Sequence, residues 1–340
     1  MIIPPQWRLT TSVNQRLPAR TDARDSKSHP FGSRDSNPSF GTVQHTRPPL
    51  LVIVGTTASG KSDLAVDVAL RYSGEVISAD SRQIYRSLDA TTGKITKQEM
   101  RGVPHHMLDI VNPGEEYSAH QFADEAIPHI EAVYHRNALP IVAGGSGFYI
   151  DALLFTGTTA KVPANPAYRK TMEQKDIAEL QQELKKKDGN AYDRIDIQNP
   201  RRLIRALEVI RELGIFPMQQ RVRRYEYVMI GIKHSRPHIR ERIAKRLDDR
   251  FDAMTEEIKT LLEQGIDATW FDRMGLECRH ITAMLTQHIL PEETKANLLS
   301  AIFAYAKRQE SWLRRYPETN WYQEHQMHQL YRNLDLLYKQ

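Results

Sequence analysis

The sequence predicts an α/β fold in which helices flank a parallel sheet and a helical segment is inserted between two parts of the core. Four short apolar segments recur in the first half of the chain: LLVIVG (50–55), EVISAD (75–80), MLDIV (107–111) and PIVAGG (140–145). Helical patterns such as SDLAVDVALRY and AHQFADEAIPHIEAVYHR separate at least three of them. Continuous apolar strands that alternate with helices are typical of a parallel sheet covered on both faces.

Beyond residue 157 the sequence becomes helical and charged. NPAYRKTMEQ, IAELQQELKKK and NPRRLIRALEVIRELG are amphipathic, and in the last of them Leu203, Ala206, Leu207 and Ile210 recur at helical spacing. YEYVMIGI (225–232) predicts a strand that returns to the sheet, and helices follow at about 236–264 and 297–315. We therefore predict core residues at 49–157, a helical insertion that contacts RNA at 158–224, completion of the core with C-terminal helices at 225–323, and a tail at 324–340.

Composition indicates a soluble globular protein with a disordered N-terminal segment. The first 48 residues are rich in Ser, Thr, Pro and Arg, so they cannot bury enough apolar surface to offset their ordering entropy. Cys278 is the only cysteine, which excludes an intramolecular disulfide and any zinc site built on several cysteines. No apolar run approaches the roughly 20 residues of a membrane helix. We expect a cytoplasmic monomer without a membrane partner.

The segment GTTASGKS (55–62) predicts a phosphate-binding loop and hence a P-loop NTPase-like core. It matches G-x-x-x-x-G-K-S between a strand and a helix, where backbone amides and Lys61 hold phosphate oxygens and Ser62 can ligate Mg²⁺. The pattern is shared by nucleotide-binding and ATP-binding proteins, and it leaves open whether the phosphate is transferred, hydrolysed or released. The expected phosphate-binding residues are Gly55, Thr56, Thr57, Ala58, Ser59, Gly60, Lys61 and Ser62.

Two further strand ends carry candidate site residues. Asp80 ends EVISAD, at the edge of the sheet where open α/β folds bind ligands, although a helix N-cap is the alternative for it. In VAGGSGFYIDALL (142–154), two glycines before Ser146 indicate a backbone that a ligand approaches closely, although a tight turn would have the same pattern. Asp109 lies in the middle of MLDIV and is a poor candidate for a magnesium-binding acid.

The stretch from Arg201 to Arg250 has 14 Lys and Arg against 6 Asp and Glu. This excess of +8 indicates an acidic polymer as partner, although a solvated helix face would look similar.

These elements, in this order, resemble the bacterial tRNA dimethylallyltransferases, also called tRNA isopentenyltransferases. The resemblance covers about residues 50–323. It is carried by the segments GTTASGKS, DSRQIYRSLDATTGKIT, VPHHMLDI, YSAHQFADEA, VAGGSGFYIDALL, NPRRLIRALEV and KRQESWLRRYPETNW.

The resemblance implies transfer of a dimethylallyl group from its diphosphate to N6 of the adenine 3′ of the tRNA anticodon. The loop would then hold the diphosphate leaving group, with Mg²⁺ on Ser62. Asp80, Ser146 and Arg250 would be catalytic. The implied tRNA contacts are Asp80, Ser81, Arg82, Gln83, Ser146, Arg169, Arg201, Arg202, Leu203, Ile204 and Arg205.

The sequence departs from the family pattern at three places. Ser146 stands where Thr is usual, TTGKIT replaces a GTAKP-like stretch around Lys94, and Cys278 in ECRH occupies a position where an aromatic residue is frequent. The His105–His106 pair is expected to have packing roles, and His325 and His328 are expected at the surface.

Three alternatives remain at the level of sequence. A small-molecule P-loop kinase would use the same loop, an adenylate isopentenyltransferase would use a free nucleotide as acceptor, and a nonenzymatic RNA-binding protein would use the basic stretch alone.

Overall fold

The computed structural model describes residues 48–157, 160, 162–218 and 220–339. The chain divides into two units, Met1–Pro48 and Pro49–Gln340, and the described strands and helices lie in the second. The prediction of a disordered tail at 1–48 falls, except for Pro48, outside the described residues.

Six strands form one parallel sheet in the order β3-β2-β4-β1-β7-β8. They are β1 (Leu50–Val54), β2 (Gly74–Ser78), β3 (His105–His106), β4 (Leu139–Gly144), β7 (Tyr227–Ile232) and β8 (Asn320–Tyr322). β5 (Phe155–Thr156) and β6 (Val222–Arg223) form a separate antiparallel ribbon. Every residue of β1 is buried because β4 and β7 flank it, which confirms the predicted parallel sheet.

The helices follow the strands in the alternation that the sequence predicts. They are α1 (Lys61–Tyr72), α2 (Asp89–Thr92), α3 (Lys97–Met100), α4 (Ala119–His135), α5 (Gly147–Leu154), α6 (Pro166–Met172), α7 (Ile177–Lys187), α8 (Gly189–Arg194), α9 (Pro200–Leu213), α10 (Arg236–Glu263), α11 (Ala268–Met274), α12 (Leu276–Gln287), α13 (Pro291–Leu313) and α14 (Met327–Tyr338). Among the described residues, no helix has both the length and the apolar character needed to span a membrane.

The prediction of a strand at MLDIV (107–111) is wrong. The strand is the two-residue β3, which ends at His106. Met107 (φ 65°) and Asp109 (φ 54°) take the left-handed conformation, which breaks extended backbone geometry. Only Val111 returns to a parallel bridge, with Tyr85.

The helices α6 to α9 pack around an apolar cluster of their own. Leu203, Leu207 and Ile210 of α9 are buried there, as the helical spacing predicts, and Gly214 ends the helix in the left-handed conformation. The ribbon of β5 and β6 lies where the chain enters and leaves this region. Because YVMIGI pairs with β1, the chain returns to the sheet after the inserted helices.

The last residues, predicted as a tail, form a helix that packs on the core. Leu330 and Leu334 of α14 are buried, and Asp335 accepts hydrogen bonds from Arg71 (2.7 Å) and from the Tyr72 hydroxyl (2.6 Å) on α1. The Tyr338 hydroxyl donates to the carbonyl of Pro49 before β1 (3.1 Å). The apolar spacing of LYRNLDLLY was the signal that could have identified this helix.

A buried carboxylate organises the inserted helices. Glu208 on α9 accepts hydrogen bonds from the Asn165 N–H (2.7 Å), from Arg169 (2.9 and 2.8 Å) and from Arg205 (2.5 Å). Burial acts to raise the pKa of Glu208, but these donors outweigh it and hold the pKa below the ordinary value.

We expect Glu208→Gln to lower the free energy of unfolding by roughly 3 kcal/mol, because it leaves two arginines without their buried counter-charge. Since the pKa of Glu208 is lowered, its contribution is present above the ordinary pKa of 4.5 and is lost as pH falls through the folded-state pKa. Urea unfolding at several pH values should show the difference from wild type shrinking in acid. Glu212→Gln, at an exposed position of the same helix, is the control. An equal loss in both variants would contradict the assignment.

Candidate active site

The loop between β1 and α1 has the conformation of a phosphate-binding loop. Gly60 caps α1 at φ 85°, a conformation that glycine adopts without strain, and Ala58 also has a positive φ of 58°. Lys61 and Ser62 open the helix, where the first N–H groups have no partner within the helix. The helix N-terminus adds partial positive charge, so this end of α1 suits an anion.

Carbonyls of the loop are held from outside it. The Ala58 carbonyl accepts from Arg242 Nε (2.7 Å), and the Ser59 carbonyl accepts from His234 Nε2 (2.9 Å). A trans peptide points its N–H away from its C=O, so these contacts turn the following amides, of Ser59 and Gly60, to the opposite side. Neither Arg242 nor His234 was predicted to have a role, and both come from the chain segment that follows the inserted helices.

Gln309 joins the loop to the end of β4. Its Oε1 accepts from the Thr57 N–H (2.8 Å), and its Nε2 donates to the carbonyl of Gly145 (3.1 Å). The side chain is buried on α13. The segment KRQESWL carries the family resemblance, but only the structure shows which of its residues reaches the site.

Lys61, Ser62 and Asp80 line one small cavity of about 20 Å³, together with Gln83 and Gly144. Asp80 follows β2, and β4 lies between β2 and β1 in the sheet. Asp80 and the phosphate loop nevertheless line the same cavity, because both follow the carboxyl ends of parallel strands in one sheet. Gly144, at the end of β4, packs against Ala79, the residue before Asp80. A Cβ at Gly144 would lie 2.1 Å from the carbonyl oxygen of Ala79.

The glycines of GGSG serve packing within the protein. Ala79 approaches Gly144, and a Cβ at Gly145 would lie 2.5 Å from Nε2 of Gln309. Protein groups therefore fill the space that side chains at Gly144 and Gly145 would need, while Gly144 also lines the cavity, so the prediction that a ligand approaches this backbone stays a prediction.

Ser146 positions the turn that carries Asp80. Its hydroxyl oxygen accepts from the Ser81 N–H (2.9 Å) and lies 3.2 Å from the Ser81 hydroxyl. Asp80 Oδ1 accepts from the N–H of Arg82 (3.0 Å), so the carboxylate caps a turn, and the alternative of a helix N-cap is not observed. The contacts with Ser81 use the side-chain hydroxyl of Ser146, a group that the Thr usual at this position also has.

Arg242, Arg246 and Arg250 lie at i, i+4 and i+8 on α10 and are each partly buried. Arg250 donates to the carbonyl of Ala90 (2.9 Å). Burial, assisted by the charge of Arg246, lowers the pKa of Arg250 to about 10. Burial also lowers the pKa of Lys61, where the charge of Asp80 acts in the opposite direction and Arg246 adds to the lowering. Cations whose pKa values are lowered by burial and by a neighbouring cation form a site that favours an anion.

Two residues hold the neighbouring segment in place. Glu257 of α10 accepts from the N–H groups of Asp89 (3.0 Å), Ala90 (2.7 Å) and Thr91 (2.8 Å). Lys94 is buried and donates to the carbonyl of Tyr85 (2.7 Å) and to the carboxylates of Asp89 and Asp109. Lys94 therefore has a structural role despite the departure of TTGKIT from the family pattern.

The departure at Cys278 concerns a buried position on α12. Burial raises the pKa of its thiol to about 12, so it stays protonated and has no surface for an RNA contact. The preceding Glu277 interacts electrostatically with Arg250 and Asp80, and burial raises the pKa of its carboxyl.

The paired histidines of β3 both have partners within the protein. His106 contacts Glu75 (2.7 Å), and His105 contacts the carbonyl of Val103 (2.9 Å).

The structure divides the expected tRNA contacts into three groups. Ser81, Arg82 and Gln83 lie beside Asp80. Arg201 and Arg202 are exposed at the start of α9, and Arg201 lines a surface cavity of about 680 Å³. Arg169 and Arg205 are bound to Glu208 and partly exposed.

Leu203 and Ile204 are also expected to contact tRNA, and this stays a prediction; Ile204 lines the same surface cavity as Arg201. Both side chains belong to the apolar cluster of the inserted helices, with 0% and 5% of their surface exposed. They support the helix that carries the exposed arginines.

The fold and site together define a P-loop NTPase-like α/β protein in which a carboxylate and several cations converge on the phosphate loop. Its relatives identify the family more narrowly. The family model "IPPT: IPP transferase" matches residues 83–316. The chain is 36% identical over 288 residues to the tRNA dimethylallyltransferase of Caldanaerobacter subterraneus subsp. tengcongensis, covering 80% of this chain and 91% of that protein.

Solved structures agree with this result. The full-length tRNA isopentenylpyrophosphate transferase of Bacillus halodurans is similar with a TM-score of 0.62 and 35% identity, over 82% of this chain and 90% of that one. A eukaryotic dimethylallyltransferase acting on tRNA is similar with a TM-score of 0.70 and 26% identity, over 81% and 73% of the respective chains. The chain belongs to the IPP transferase family, as the sequence resemblance predicted.

We expect the affinity of the site for pyrophosphate to fall with rising pH, beginning below the ordinary lysine pKa of 10.5, because burial favours the neutral form of Lys61. Calorimetric titrations between about pH 7 and about pH 10 should show this fall. Lys61→Met should weaken binding at neutral pH by at least about tenfold and should lose the part of the pH dependence that comes from Lys61, leaving the parts due to the ligand and to Arg250, whose pKa is about 10. Lys245→Met, an exposed position on α10, is the control. Parallel pH profiles of wild type and Lys61→Met would exclude this role of Lys61.

Proposed function

We propose that the protein transfers a dimethylallyl group from dimethylallyl diphosphate to N6 of the adenine 3′ of the anticodon in tRNA and releases diphosphate. The observation that carries this proposal is that Asp80 and Lys61 line one cavity in a chain of the IPP transferase family. A phosphate loop alone would fit many reactions. A carboxylate facing it suits a reaction in which a proton leaves the acceptor while diphosphate departs.

The phosphate loop and α10 would stabilise the leaving group. When the allylic C–O bond breaks, its electron pair moves to the diphosphate, whose negative charge increases. Lys61, the first amides of α1 and Arg250 present positive charge to this group. Donors that are fixed before the reaction stabilise such charge without reorganisation.

Asp80 would accept the proton of the nucleophile. The N6 lone pair is delocalised into the adenine ring, and its attack on the allylic carbon forms a C–N bond and makes a proton acidic. The Asp80 carboxylate can take that proton, and its position is fixed by the Arg82 N–H and by the Ser146 contact with Ser81. In this proposal Ser146 acts as a positioning residue for Asp80.

Mg²⁺ is the proposed cofactor, and the residues present fit it. The Ser62 hydroxyl lines the cavity beside Lys61 and Asp80. Mg²⁺ prefers oxygen ligands and keeps several waters or phosphate oxygens, so one hydroxyl from the protein is sufficient. When bound, the ion supplies further positive charge to the diphosphate.

The exposed arginines of α9 would position the anticodon stem through its phosphates. N6 is hidden in a stacked loop, so the adenine must be extruded into the cavity region while the flanking backbone is held. Arg201 is exposed and lines a surface cavity, and the neighbouring Arg202 is exposed with its guanidinium 3.4 Å from the Asp196 carboxylate. In contrast, Arg242 and Arg250 donate to backbone carbonyls. A cytoplasmic monomer remains the prediction for the cell.

Mass spectrometry of nucleosides tests the proposal. The protein incubated with tRNA, Mg²⁺ and dimethylallyl diphosphate should yield N6-dimethylallyladenosine. We expect Asp80→Asn to reduce the rate by about 10²–10⁴-fold with tRNA binding retained, because it removes the proton acceptor. Asp248→Asn, at an exposed position on α10, should leave the rate unchanged. Unchanged turnover in Asp80→Asn would remove the proposed role.

The same assay separates the alternatives. A small-molecule kinase would transfer labelled γ-phosphate from ATP, and an adenylate isopentenyltransferase would modify AMP in the absence of tRNA. An RNA-binding protein without activity would bind tRNA and yield no prenylated nucleoside. Any of these results, with no modified tRNA, would refute the proposal.

Arg201 and Arg202 give a separate prediction. The double substitution to Ala should weaken tRNA binding by roughly tenfold at low salt, and the salt dependence of binding should become shallower, because fewer phosphates are neutralised. Filter binding at several salt concentrations measures both effects. Arg332→Ala on α14 is the control. If the salt slope of the double variant equals that of wild type, these arginines do not contact phosphates.

A further inference from the structure

His234, His238 and Glu324 form a cluster outside the machinery proposed for prenyl transfer. One potential ligand atom from each residue lies within 4.8 Å of the other two. We propose that this cluster binds one divalent transition-metal ion of the Zn²⁺ type, at a site distinct from the proposed Mg²⁺ position on Ser62.

The register of the sheet brings these residues together. β7 and β8 pair in parallel with Ile232 opposite Tyr322, and the Lys233 N–H extends the pairing to the carbonyl of Tyr322 (2.9 Å). His234 and Glu324 each lie two residues beyond these paired ends. His238 is the third residue of α10, one helical turn after His234, and the two imidazole rings are 5.0 Å apart. Rigid elements therefore position both histidines.

His234 already has the hydrogen bond that a metal-bound histidine needs. Its Nε2 donates to the carbonyl of Ser59 (2.9 Å), which leaves Nδ1 as the nitrogen for coordination. Metal-bound histidines nearly always donate their other ring N–H to a carbonyl or carboxylate, which fixes the tautomer and the ring orientation. The contact also means that an ion on His234 would be one side chain away from the phosphate loop.

His238 supplies an independent observation. Its Nε2 is buried and has no hydrogen-bond partner among the described residues. A buried polar atom without a partner is costly, and coordination of a metal ion would satisfy it. Glu324 is exposed, so its carboxylate can move toward the histidines at little cost.

The ligand types favour a transition metal over Mg²⁺. Two imidazoles and a carboxylate suit Zn²⁺ and related ions, whereas Mg²⁺ prefers oxygen ligands. Zinc bonds of about 2.0–2.2 Å place the ligand atoms of a tetrahedral site roughly 3.4 Å apart, so the cluster must contract by only about 1.4 Å. Three protein ligands leave one position for water or another ligand. A bound ion would connect Glu324, which follows β8, to the phosphate loop, because His234 also contacts the Ser59 carbonyl.

Binding of Co²⁺ and Zn²⁺ to the metal-free, tag-free full-length protein tests this inference. We expect one Co²⁺ per chain with the intense visible absorption of a tetrahedral site, displaced by one equivalent of Zn²⁺ and unaffected by excess Mg²⁺. Zn²⁺ at about 100 times its Kd should raise Tm by roughly 3–5 °C. Absence of the tetrahedral spectrum in wild type would overturn the proposal.

Variants separate this site from other histidines. His238→Ala should weaken Co²⁺ affinity by at least about 100-fold, because even the loss of a residue that only supports a ligand costs about 10–100-fold. Glu324→Gln should weaken it by at least about tenfold, and since Glu324 is exposed this variant should fold normally. His135→Ala and His328→Ala are the matched controls and should bind as wild type. Equal binding by wild type and Glu324→Gln, or loss of binding in a control, would refute the assignment. Prenyl transfer with Mg²⁺ is measured separately, so the two proposals can fail independently.

Discussion

The anchoring of two phosphate-loop carbonyls by Arg242 and His234 is the constraint on which the site depends. The hydrogen bond from the charged Arg242 guanidinium contributes about 1.5–3 kcal/mol, enough to select one loop conformation among several. The contact matters because it comes from the start of α10 and from the residues just after β7. The phosphate loop therefore has its described conformation only when the chain beyond the inserted helices has returned to the sheet. Formation of the site is in this way coupled to completion of the fold.

The basic stretch from Arg201 to Arg250 shows how one sequence feature can serve two purposes. Its first residues, Arg201 and Arg202, are exposed and suit an RNA partner. Its last arginines lie along one face of α10, where Arg242 donates to the phosphate-loop carbonyl of Ala58 and Arg250 donates to the carbonyl of Ala90. Charge composition cannot distinguish these uses, because a count of arginines has no information on the direction of each side chain. The structure divides the stretch between a candidate RNA surface and an anion site.

Much of the fold could be predicted from sequence because its signals are local. The strands β1, β2, β4 and β7 and the helices α9 and α10 follow from apolar periodicity and end signals. The strand predicted at MLDIV failed because a buried apolar run does not by itself require extended backbone, and Met107 and Asp109 take left-handed conformations instead. Helices α8, α11 and α12 were not predicted from the sequence. They are shorter than α9 and α10, and their packing depends on distant residues that local patterns do not show.

The candidate site also contains residues that the sequence could predict and residues that it could not. Gly60, Lys61 and Asp80 have signatures in neighbouring residues, so the sequence correctly placed Gly60 and Lys61 at the start of α1 and Asp80 just after β2. Gln309 and Glu257 act across 252 and 166 or more positions of the chain, and nothing in their own neighbourhood indicates a partner. The sequence could not show that Ala79 and Gln309 pack against the glycines at the end of β4, because a missing side chain indicates a close neighbour without identifying it.

The pKa values of the cations connect this architecture to the choice between phosphate transfer and phosphate release. Burial and the charge of Arg246 lower the pKa values of Lys61 and Arg250. The site therefore has an unfavourable accumulation of positive charge, which a bound polyanion would relieve. A leaving diphosphate gains negative charge as its bond to carbon breaks, so such a site binds it more strongly in the transition state than in the substrate, which is the condition for catalysis. Asp80 on the other side of the same cavity would resist an anion there and favours a neutral acceptor that releases a proton. In the proposed reaction, Lys61 after β1 would therefore serve the departure of diphosphate, and Asp80 after β2 would serve the removal of the proton.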